Sequence, residues 1–297
     1  MKQLNGRVAV VTGAASGIGL AMATRFAAEG MRCVLADVDE GTLQRAVDDL
    51  RRAGATAVGV RTDVSRAADV QALADSAIAE FGAVHVLCNN AGVGGGSDFA
   101  QTPLDVWEWV LGVNLWGVIH GCRTFLPLLL EQDEGHIVNT SSMAALNGHP
   151  LGLAPYTVSK FGVLGLSQNL FFELAATASL RVGISVLIPG LTRTRIFESV
   201  RNQPETLTAA PPSSFIRSSM AALEGVWDKA MPPEEVADAV TAAIREQRFY
   251  ILPYRDEALD MAEQQLRWMR DDVPLVPGPG VARTADDQDA TVSGERT

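Results

Sequence analysis

Short apolar runs alternate with longer segments of helical periodicity along most of the chain. Seven runs are apolar without strict alternation, and each is followed by a helical pattern: Val8–Thr12, Cys33–Ala36, Ala57–Val60, Val84–Cys88, His136–Thr140, Val182–Ile188 and Phe249–Leu252. Strands of this kind are typical of a parallel sheet that helices cover on both faces. The pattern predicts an α/β fold with a single Rossmann-like, doubly wound sheet of about seven mostly parallel strands.

Two helical segments, 102–130 and 155–176, are apolar on nearly every side. Their large apolar side chains are Trp107, Trp109, Val110, Leu111, Val113, Leu115, Trp116, Val118, Ile119 and Phe125 in the first, and Phe161, Val163, Leu164, Leu166, Leu170, Phe171, Phe172 and Leu174 in the second. Such helices must be covered on more than the side that faces a sheet. A large monomer could bury them internally, but we expect a homodimer or homotetramer formed through these two helices.

The chain beyond the last strand predicts one more helix and a tail. Leu259, Ala262, Leu266 and Met269 recur at helical spacing, so residues 255–272 are predicted to form an appended amphipathic helix. Residues 273–297 are rich in small, polar, proline and glycine residues, and we expect a disordered tail. Residues 1–254 would form the main domain.

Composition narrows the class of ligand. The chain has 297 residues, 47% of them hydrophobic, and a formal net charge of −11. This length and apolar content can fill a sizeable core. The negative charge disfavours nucleic acid, anionic membranes and acidic protein partners, so a small molecule is the expected ligand.

Cysteine and histidine placement favours neither disulfides nor metal. Cys33, Cys88 and Cys122 are odd in number and lie far apart in apolar surroundings, which indicates buried reduced thiols and a cytoplasmic location. The four histidines lack the close spacing of metal ligands. We find no secretory leader and expect no run that reaches the roughly 20 apolar residues of a membrane span.

A glycine-rich loop follows the first predicted strand and begins the first helix. Gly13, Gly17 and Gly19 permit a tight turn there and let the backbone approach a pyrophosphate. The phosphate charge would lie at the helix N-terminus, beside Ser16 and Ile18. The strand-loop-helix context indicates a dinucleotide site.

An acidic residue ends the second predicted strand. Asp37 lies 18 residues after Gly19, close to the spacing at which a carboxylate binds the adenosine ribose hydroxyls. Its charge would repel a 2′-phosphate, and the nearby Ala14, Ala15 and Val38 supply no compensating cation. We therefore predict NAD rather than NADP as the cofactor. The alternative for Asp37 is a role in capping a turn or the next helix.

Tyr156 and Lys160 are spaced to share one face of a helix. A cation about 4 Å from a phenol, at an effective dielectric near 20, stabilises the phenolate by about 4 kcal/mol. That energy is enough to bring a tyrosine pKa from about 10 to about 7. The pair can therefore make an acid and base of a phenol, although the same spacing is common on surface helices.

The motifs occur in an ordered set that resembles the short-chain dehydrogenase/reductase family. The set comprises Thr12-Gly13-x-x-x-Gly17-Ile18-Gly19, Asp63-Val64, Asn89-Asn90-Ala91-Gly92, Asn114, Ser142, Tyr156-x-x-x-Lys160 and Pro189-Gly190-x-x-x-Thr194. The match covers roughly residues 5–253. Each motif alone could be accidental, but the ordered set at predicted strand ends is specific.

The resemblance implies a cofactor role for three further segments. It implies that Asp63 and Val64 contact adenine and that residues 90–92, Asn90, Ala91 and Gly92, line the ribose side. It also implies that a segment after the sixth strand holds the nicotinamide amide, with contacts from Pro189, Gly190, Thr192 and Thr194. Helix capping by the two threonines is compatible with that role.

The resemblance likewise implies the catalytic roles. Tyr156 would exchange a proton with the substrate, while Lys160 lowers its pKa and holds the nicotinamide ribose. Ser142 would bind the substrate oxygen, and Asn114 would position a water that links Lys160 to solvent. Ser142 lies 14 residues before Tyr156, where the family usually has 13, and Met143 occupies the usual position. An extra residue in loop 146–154 explains this, so we prefer Ser142 to Ser141.

The family carries a variable substrate lid where this chain has residues 191–232. Its apolar residues are Ile196, Phe197, Val200, Leu207, Phe215, Ile216, Met220, Leu223 and Trp227. They favour a small hydrophobic secondary alcohol or ketone as substrate, although they could simply pack helices. Arg193, Arg195, Arg201 and Arg217 leave a phosphorylated substrate open. The rival functions are a carrier-linked 3-oxoacyl reductase, which the net charge disfavours, and a non-catalytic NAD-binding regulator.

Overall fold

A computed structural model describes residues 1–147, 152–177, 181–207 and 229–272 of the chain. Three predictions fall wholly or partly outside these residues. They concern the extra loop residue near 148–151, the lid between 208 and 228, and the tail 273–297.

Seven parallel strands form one sheet in the order β3-β2-β1-β4-β5-β6-β7. Their bounds are β1 Val8–Thr12, β2 Arg32–Asp37, β3 Ala57–Arg61, β4 Val86–Asn89, β5 Gly135–Thr140, β6 Val182–Leu187 and β7 Tyr250–Ile251. Every pairing between neighbouring strands is parallel. The predicted doubly wound sheet is confirmed, and each predicted strand lies within two residues of its observed bounds.

Helices follow the strands and cover both faces of the sheet. The described α-helices are α1 Gly17–Ala28, α2 Glu40–Arg52, α3 Ala67–Phe81, α4 Leu104–Leu111, α5 Gly117–Leu130, α6 Ala144–Asn147, α7 Ala154–Ala176, α8 Pro233–Glu246 and α9 Arg255–Asp271. Short 3₁₀ segments are formed by Phe99–Gln101 and Ile196–Asn202.

Two apolar cores lie between the sheet and its helices. Ala9 and Val11 of β1 pack with α1, α2 and α8 on one face, while Val8 and Val10 pack with α3, α5 and α7 on the other. Successive side chains of a strand point to opposite faces, so a strand buried on both sides must be apolar at every position. For this reason the buried strands occur in the sequence as continuous apolar runs.

The topology places a crevice at the carboxyl ends of the strands. Strand β1 lies between β2 and β4, so the chain runs outward in opposite directions from the β1–β4 pair. In open sheets of this kind ligands bind outside the carboxyl edge, at the point where the strand order reverses. The glycine loop that follows β1 lies at that point.

The long apolar segment 102–130 is not one regular helix. Residues Gly112–Trp116 form a π-helical turn between α4 and α5. The segment Leu104–Leu130 is long and apolar enough to cross a membrane by length and composition alone. The expectation that no segment meets that criterion is therefore wrong. In this fold the segment covers the sheet, because Phe125 and Leu129 are fully buried in the core.

Parts of the two apolar helices stay exposed in the single chain. Trp116 beside α5 is 53% exposed and Phe172 of α7 is 68% exposed. Leu104, Val158 and Phe161 are exposed as well. Burial inside the monomer therefore does not account for the full apolar surface of these helices.

The appended helix is present as α9, but its contacts differ from the predicted ones. Leu259, Leu266 and Met269 are exposed, so the expected apolar stripe does not pack on the protein. Ala258 is buried, and Met261 is partly buried on the neighbouring face. The face that packs is therefore rotated by one residue, because docking against the domain selects it rather than the strongest periodicity.

The three cysteines are free and buried, as predicted. Burial raises the pKa of the Cys33 thiol to about 12 and that of the Cys122 thiol to about 11. Burial raises the pKa of Cys88 as well. Thiols of this kind stay protonated near neutral pH and are poor nucleophiles or metal ligands. Among the described residues no cluster of histidine, cysteine and carboxylate side chains could hold a metal.

Candidate active site

A cleft of about 710 Å³ runs along the carboxyl ends of the strands. Every predicted site residue lines it except Gly19 and Asn114. A cavity of this size is typical of a site for a small molecule or cofactor. The fold thus brings together motifs that are spread over more than 180 positions of the sequence.

The glycine loop packs directly against the end of β4. Gly13 has φ +65°, and a Cβ added there would lie 2.8 Å from the Cα of Ala91. The Thr12 hydroxyl accepts hydrogen bonds from the backbone N–H groups of Asn90 and Ala91, at 2.9 and 3.1 Å. The Asn90 side chain donates to the carbonyl of Thr12 at 3.0 Å. Glycine is therefore required at position 13 by both backbone angle and space.

Gly19 lies beneath this loop and does not line the cleft. A Cβ at that position would approach the Gly13 carbonyl oxygen to 2.1 Å. Gly19 therefore lets α1 pack closely on the loop, and its predicted contact with the cofactor stays a prediction. Such helix-to-loop packing determines where the N-terminus of α1 lies.

The N-terminus of α1 opens into the cleft and fits a pyrophosphate. Ser16 precedes the helix, but its side chain makes no capping hydrogen bond. Gly17 and Ile18 of the first turn line the cleft. The first N–H groups of a helix have no partner within it, and the helix dipole favours an anion at this end. Gly17 also packs on Thr194, where a Cβ would lie 3.1 Å from the threonine Cγ2.

Asp37 lies at the end of β2 with its carboxylate on the rim of the cleft. One oxygen accepts the backbone N–H of Ala15 at 3.0 Å, and the other accepts that of Asp39 at 3.1 Å. These bonds fix the carboxylate beside the glycine loop. The bond from Asp39 means that Asp37 does cap a turn, as the alternative held, while the next helix is capped by Asp39, whose side chain accepts the Thr42 N–H at the start of α2.

The predicted adenine contacts lie at the next strand end. Asp63 accepts hydrogen bonds from the backbone and hydroxyl of Ser65, at 3.0 and 2.6 Å. Val64 is nearly buried, and both Asp63 and Val64 line the cleft. Together they give this part of the cleft one apolar and one polar wall.

Lys160 is almost completely buried beneath the cleft. Its Nζ donates to the carbonyl oxygen of Thr140 at 2.9 Å and lies 5.5 Å from the centre of the Tyr156 ring. Only 4% of the residue is exposed. Burial lowers the pKa of Lys160 to about 8, because a charged ammonium loses its hydration there.

Tyr156 lies on the same face of α7 and also lines the cleft. Burial raises the pKa of Tyr156, and a hydrogen bond from Ser142 acts in the opposite direction. This net direction is opposite to the one expected from the Tyr156 and Lys160 spacing. The reason is geometric: Nζ lies over the ring and bonds to Thr140, so the ammonium is directed at a carbonyl oxygen.

The structure separates the two neighbouring serines. Ser142 lines the cleft and is hydrogen-bonded to Tyr156, and its oxygen also accepts the N–H of Ala144 at 3.2 Å. The Ser141 hydroxyl is buried and donates to the carbonyl of Lys160 at 2.7 Å. Ser142 can therefore reach a bound molecule, whereas Ser141 fixes α7 to the end of β5.

Asn114 lies in the π-helical turn, fully buried and outside the cleft. Its side-chain oxygen accepts the Val93 N–H at 2.8 Å, and its amide donates to the Val93 carbonyl and to Ser159. Both amide hydrogens are thus used by protein groups, whereas the side-chain oxygen keeps a second lone pair. π-Turns shift the backbone hydrogen bonds and are frequent at functional sites. The role of Asn114 in positioning a water stays a prediction.

The other end of the cleft has an apolar wall. Its large apolar side chains are Trp109, Val113, Met143, Leu191, Phe197 and Met261. The 3₁₀ segment Ile196–Asn202 closes over the loop after β4, where the Ser199 hydroxyl accepts the Gly94 N–H at 2.8 Å. This end of the cleft therefore suits a hydrophobic group.

Two of the residues that line the cleft have a place that sequence analysis did not predict: it gave Met261 no role, and it named Arg201 only for a phosphorylated substrate. Met261 comes from α9, and the predicted helical stripe did not include it. Arg201 comes from the 3₁₀ segment and is close enough to Asp39 to help lower the pKa of that carboxyl. The cofactor rim thus has a cation, which local sequence around Asp37 could not reveal.

Comparison with known proteins places these observations in a family context. A model of the short chain dehydrogenase family matches residues 7–205. The chain is 36% identical over 259 residues to 1-deoxy-11-beta-hydroxypentalenate dehydrogenase of Streptomyces avermitilis, which covers 86% of this chain and 87% of that protein. It is 39% identical over 203 residues to 2-(R)-hydroxypropyl-CoM dehydrogenase of Xanthobacter autotrophicus, covering 67% of this chain and 80% of that protein.

A solved structure is similar over almost the whole chain. It is that of a short chain dehydrogenase/reductase from Burkholderia phymatum in complex with NAD. The two chains are 42% identical with a TM-score of 0.88, and the match covers 93% of this chain and 99% of that one.

Proposed function

Because the chain belongs to the short-chain dehydrogenase/reductase family and is therefore an oxidoreductase, we propose that it interconverts a hydrophobic secondary alcohol and its ketone with NAD. One observation carries the proposal. Ser142, Tyr156 and Lys160 converge in one cleft, between the glycine loop and an apolar wall. When bound, the nicotinamide accepts or donates the hydride.

Tyr156 is the proton carrier in this mechanism. Its phenol takes the hydroxyl proton of the alcohol during oxidation and returns it to the carbonyl oxygen during reduction. Ser142 lines the cleft and donates its hydroxyl proton to the phenol in the free protein. With a substrate bound, the same hydroxyl would turn to donate to the substrate oxygen, where negative charge develops. The two hydroxyls thereby orient the reacting oxygen between them.

Lys160 keeps a positive charge beneath Tyr156. With a pKa lowered to about 8, its ammonium is mainly protonated at neutral pH. Its Nζ lies 5.5 Å from the centre of the Tyr156 ring, and a positive charge near a phenolate favours the ionised form of the phenol. Since burial alone raises the pKa of Tyr156, the mechanism needs this charge and that of the oxidised cofactor together.

NAD is proposed over NADP because of Asp37. Its carboxylate is held at the rim by two backbone N–H groups and still has lone pairs for ribose hydroxyls. A 2′-phosphate there would meet this negative charge. The NAD complex of the similar Burkholderia phymatum protein supports the same choice.

We also propose an assembly and a location. A homodimer or homotetramer formed through segments 102–130 and 155–176 is supported by their exposed apolar residues, such as Trp116, Val158 and Phe172. The three buried, free thiols support a cytoplasmic location.

A panel of substrates tests the function. Purified protein is mixed with secondary alcohols or ketones and with NAD(H) or NADP(H), and nicotinamide absorbance is followed. A 3-oxoacyl thioester in the panel tests the carrier-linked reductase. Turnover of alicyclic or aromatic ketones with NADH is expected, whereas no turnover of any member would favour a non-catalytic regulator.

Tyr156→Phe tests the mechanism. Turnover should fall by roughly 10²–10⁴-fold, because the variant cannot carry the proton. NADH binding, measured by fluorescence titration, should be unchanged. Tyr250→Phe, at a half-exposed residue outside the cleft, is the matched control. A Tyr156→Phe variant that keeps more than a tenth of the activity would contradict the role of Tyr156.

A further inference from the structure

The C-terminal helix α9 contributes one wall of the cleft through a single residue. Met261 is the residue of α9 that lines the cleft, and it lies one turn after the buried Ala258. Met269 lies farther along the same helix and is 70% exposed. Only the first half of α9 thus lies beside the cleft, and Met261 is its residue that can contact a bound molecule.

The start of α9 is fixed to the segment that follows β6. The Tyr254 hydroxyl donates to the Leu191 carbonyl oxygen at 2.6 Å and accepts the Met231 N–H at 2.9 Å. The Tyr254 ring also lies against Gly190, where a Cβ would meet it at 2.7 Å. Tyr254 immediately precedes α9, so these contacts hold the helix at a defined place beside the cleft.

The inward face of α9 packs on α6, which begins two residues after Ser142. The Asn147 side chain of α6 donates to Gln264 of α9 at 3.3 Å. The first residue of α6, Ala144, donates its N–H to the Ser142 oxygen and lines the cleft. One set of contacts therefore connects the substrate-binding serine with the position of Met261.

We propose that Met261 selects the substrate by its size, an inference that rests on the proposed function. The residue adds to the apolar wall that also contains Met143 and Leu191. Methionine is unbranched and polarizable, so it adapts to rings of different shape. The ligand class is an alicyclic ketone or alcohol whose ring extends from the reacting carbon toward α9.

The test compares a smaller and a larger side chain at position 261. Kinetics with NADH are measured for cyclohexanone and for the bicyclic 2-decalone. Met261→Ala should raise the ratio of kcat/KM for 2-decalone over cyclohexanone, and Met261→Phe should lower it. Each change should be about tenfold, as expected for a few methylene-sized groups in a hydrophobic pocket.

Control variants isolate the effect from general damage to α9. Met269→Ala and Met269→Phe alter an exposed residue of the same helix and should leave the ratio unchanged. The Kd for NADH should be the same in all variants. Ratios that move in the same direction in Met261→Ala and Met261→Phe, or no further than in the Met269 variants, would overturn the inference.

A binding experiment separates this inference from the proposed function. Binding of both ketones to the protein with NADH is followed by nicotinamide fluorescence, which needs no turnover. If the wild type binds 2-decalone without reducing it, the proposed function fails. The ratio of the Kd for 2-decalone to the Kd for cyclohexanone in the Met261 variants then tests whether Met261 selects by size. If it binds neither ketone, the alicyclic class is wrong.

Discussion

Replacing Lys160 with methionine is predicted to remove catalysis without loss of stability near neutral pH. The ammonium is nearly buried and makes its hydrogen bond to the carbonyl oxygen of Thr140. A methionine side chain is of similar length and needs no hydration. Loss of turnover follows because the phenol of Tyr156 would lose the positive charge beneath it.

The expected change in stability follows from the pKa of Lys160. Burial lowers it from 10.5 to about 8. At about 1.36 kcal/mol per pKa unit, the charged form destabilises the folded state by about 3 kcal/mol. Methionine removes this cost but leaves the Thr140 carbonyl without its donor, which costs about 1–3 kcal/mol. At pH 7 the variant should therefore be as stable as the wild type or up to about 2 kcal/mol more stable.

The pH dependence of the stability difference between wild type and Lys160→Met tests the cost of burying Lys160 more directly. Between pH 8 and 10.5 the unfolded chain binds a proton at position 160 that the folded chain has lost. The wild type should therefore gain stability relative to Lys160→Met as the pH rises through this range, by up to about 3 kcal/mol. Below pH 8 the difference should be constant, because both states carry the proton.

Guanidinium chloride unfolding at pH 7, 8, 9 and 10 measures this difference. Lys229→Met is the matched control, since Lys229 is exposed and its charge loses little hydration on folding. NADH oxidation with an accepted ketone is followed on the same preparations. Parallel stability curves for wild type and Lys160→Met above pH 8 would refute the burial cost assigned to Lys160.

Two further predictions concern the cofactor. The double variant Asp37→Ser with Val38→Arg should shift the ratio of kcat/KM for NADPH over NADH by at least about tenfold toward NADPH, because it removes a repulsion of a few kcal/mol. An unchanged ratio would contradict the role of Asp37. Arg201→Ala should raise the Kd for NADPH about threefold or more, and that for NADH less, since its cation lies at the rim beside Asp39. Equal changes in both Kd values would show that Arg201 does not act on the 2′-phosphate.

The sheet could be predicted because its central strands, such as β1 and β5, are buried on both faces. A run such as Val8–Thr12 leaves no alternative to a covered parallel strand. The π-helical turn Gly112–Trp116 was not predictable, since its residues fit the same apolar helical pattern as their neighbours. The packed face of α9 was also assigned wrongly, because it contains small or partly polar residues such as Ala258 and Gln265. Contacts in the folded domain determine which face of a helix packs, and the periodicity of apolar residues in the sequence does not show that face.

Most of the candidate site was predictable because its residues follow strand ends. Gly13, Asp37 and Ser142 each lie at or within two residues of the end of a strand, and parallel strands bring their carboxyl ends to one edge. Gly19 and Asn114 lie behind the cleft, where Gly19 lets α1 pack on the loop and Asn114 bonds to Val93. A motif identifies a position in the fold, but it does not separate the residues that touch a ligand from those that hold them.

Cofactor selectivity also depends on residues that are distant from Asp37 in the sequence. From the sequence, Asp37 faces no cation, because its neighbours Ala15 and Val38 are uncharged. The fold brings Arg201 to the same rim across more than 160 positions. Net charge at the rim therefore does not decide between the two cofactors. Geometry does: the Asp37 carboxylate is fixed by two backbone N–H groups, whereas Arg201 is exposed and bonded to carbonyls of its own segment. A fixed acceptor binds ribose hydroxyls directionally, while an exposed guanidinium is screened by solvent, so we propose NAD even with the cation present.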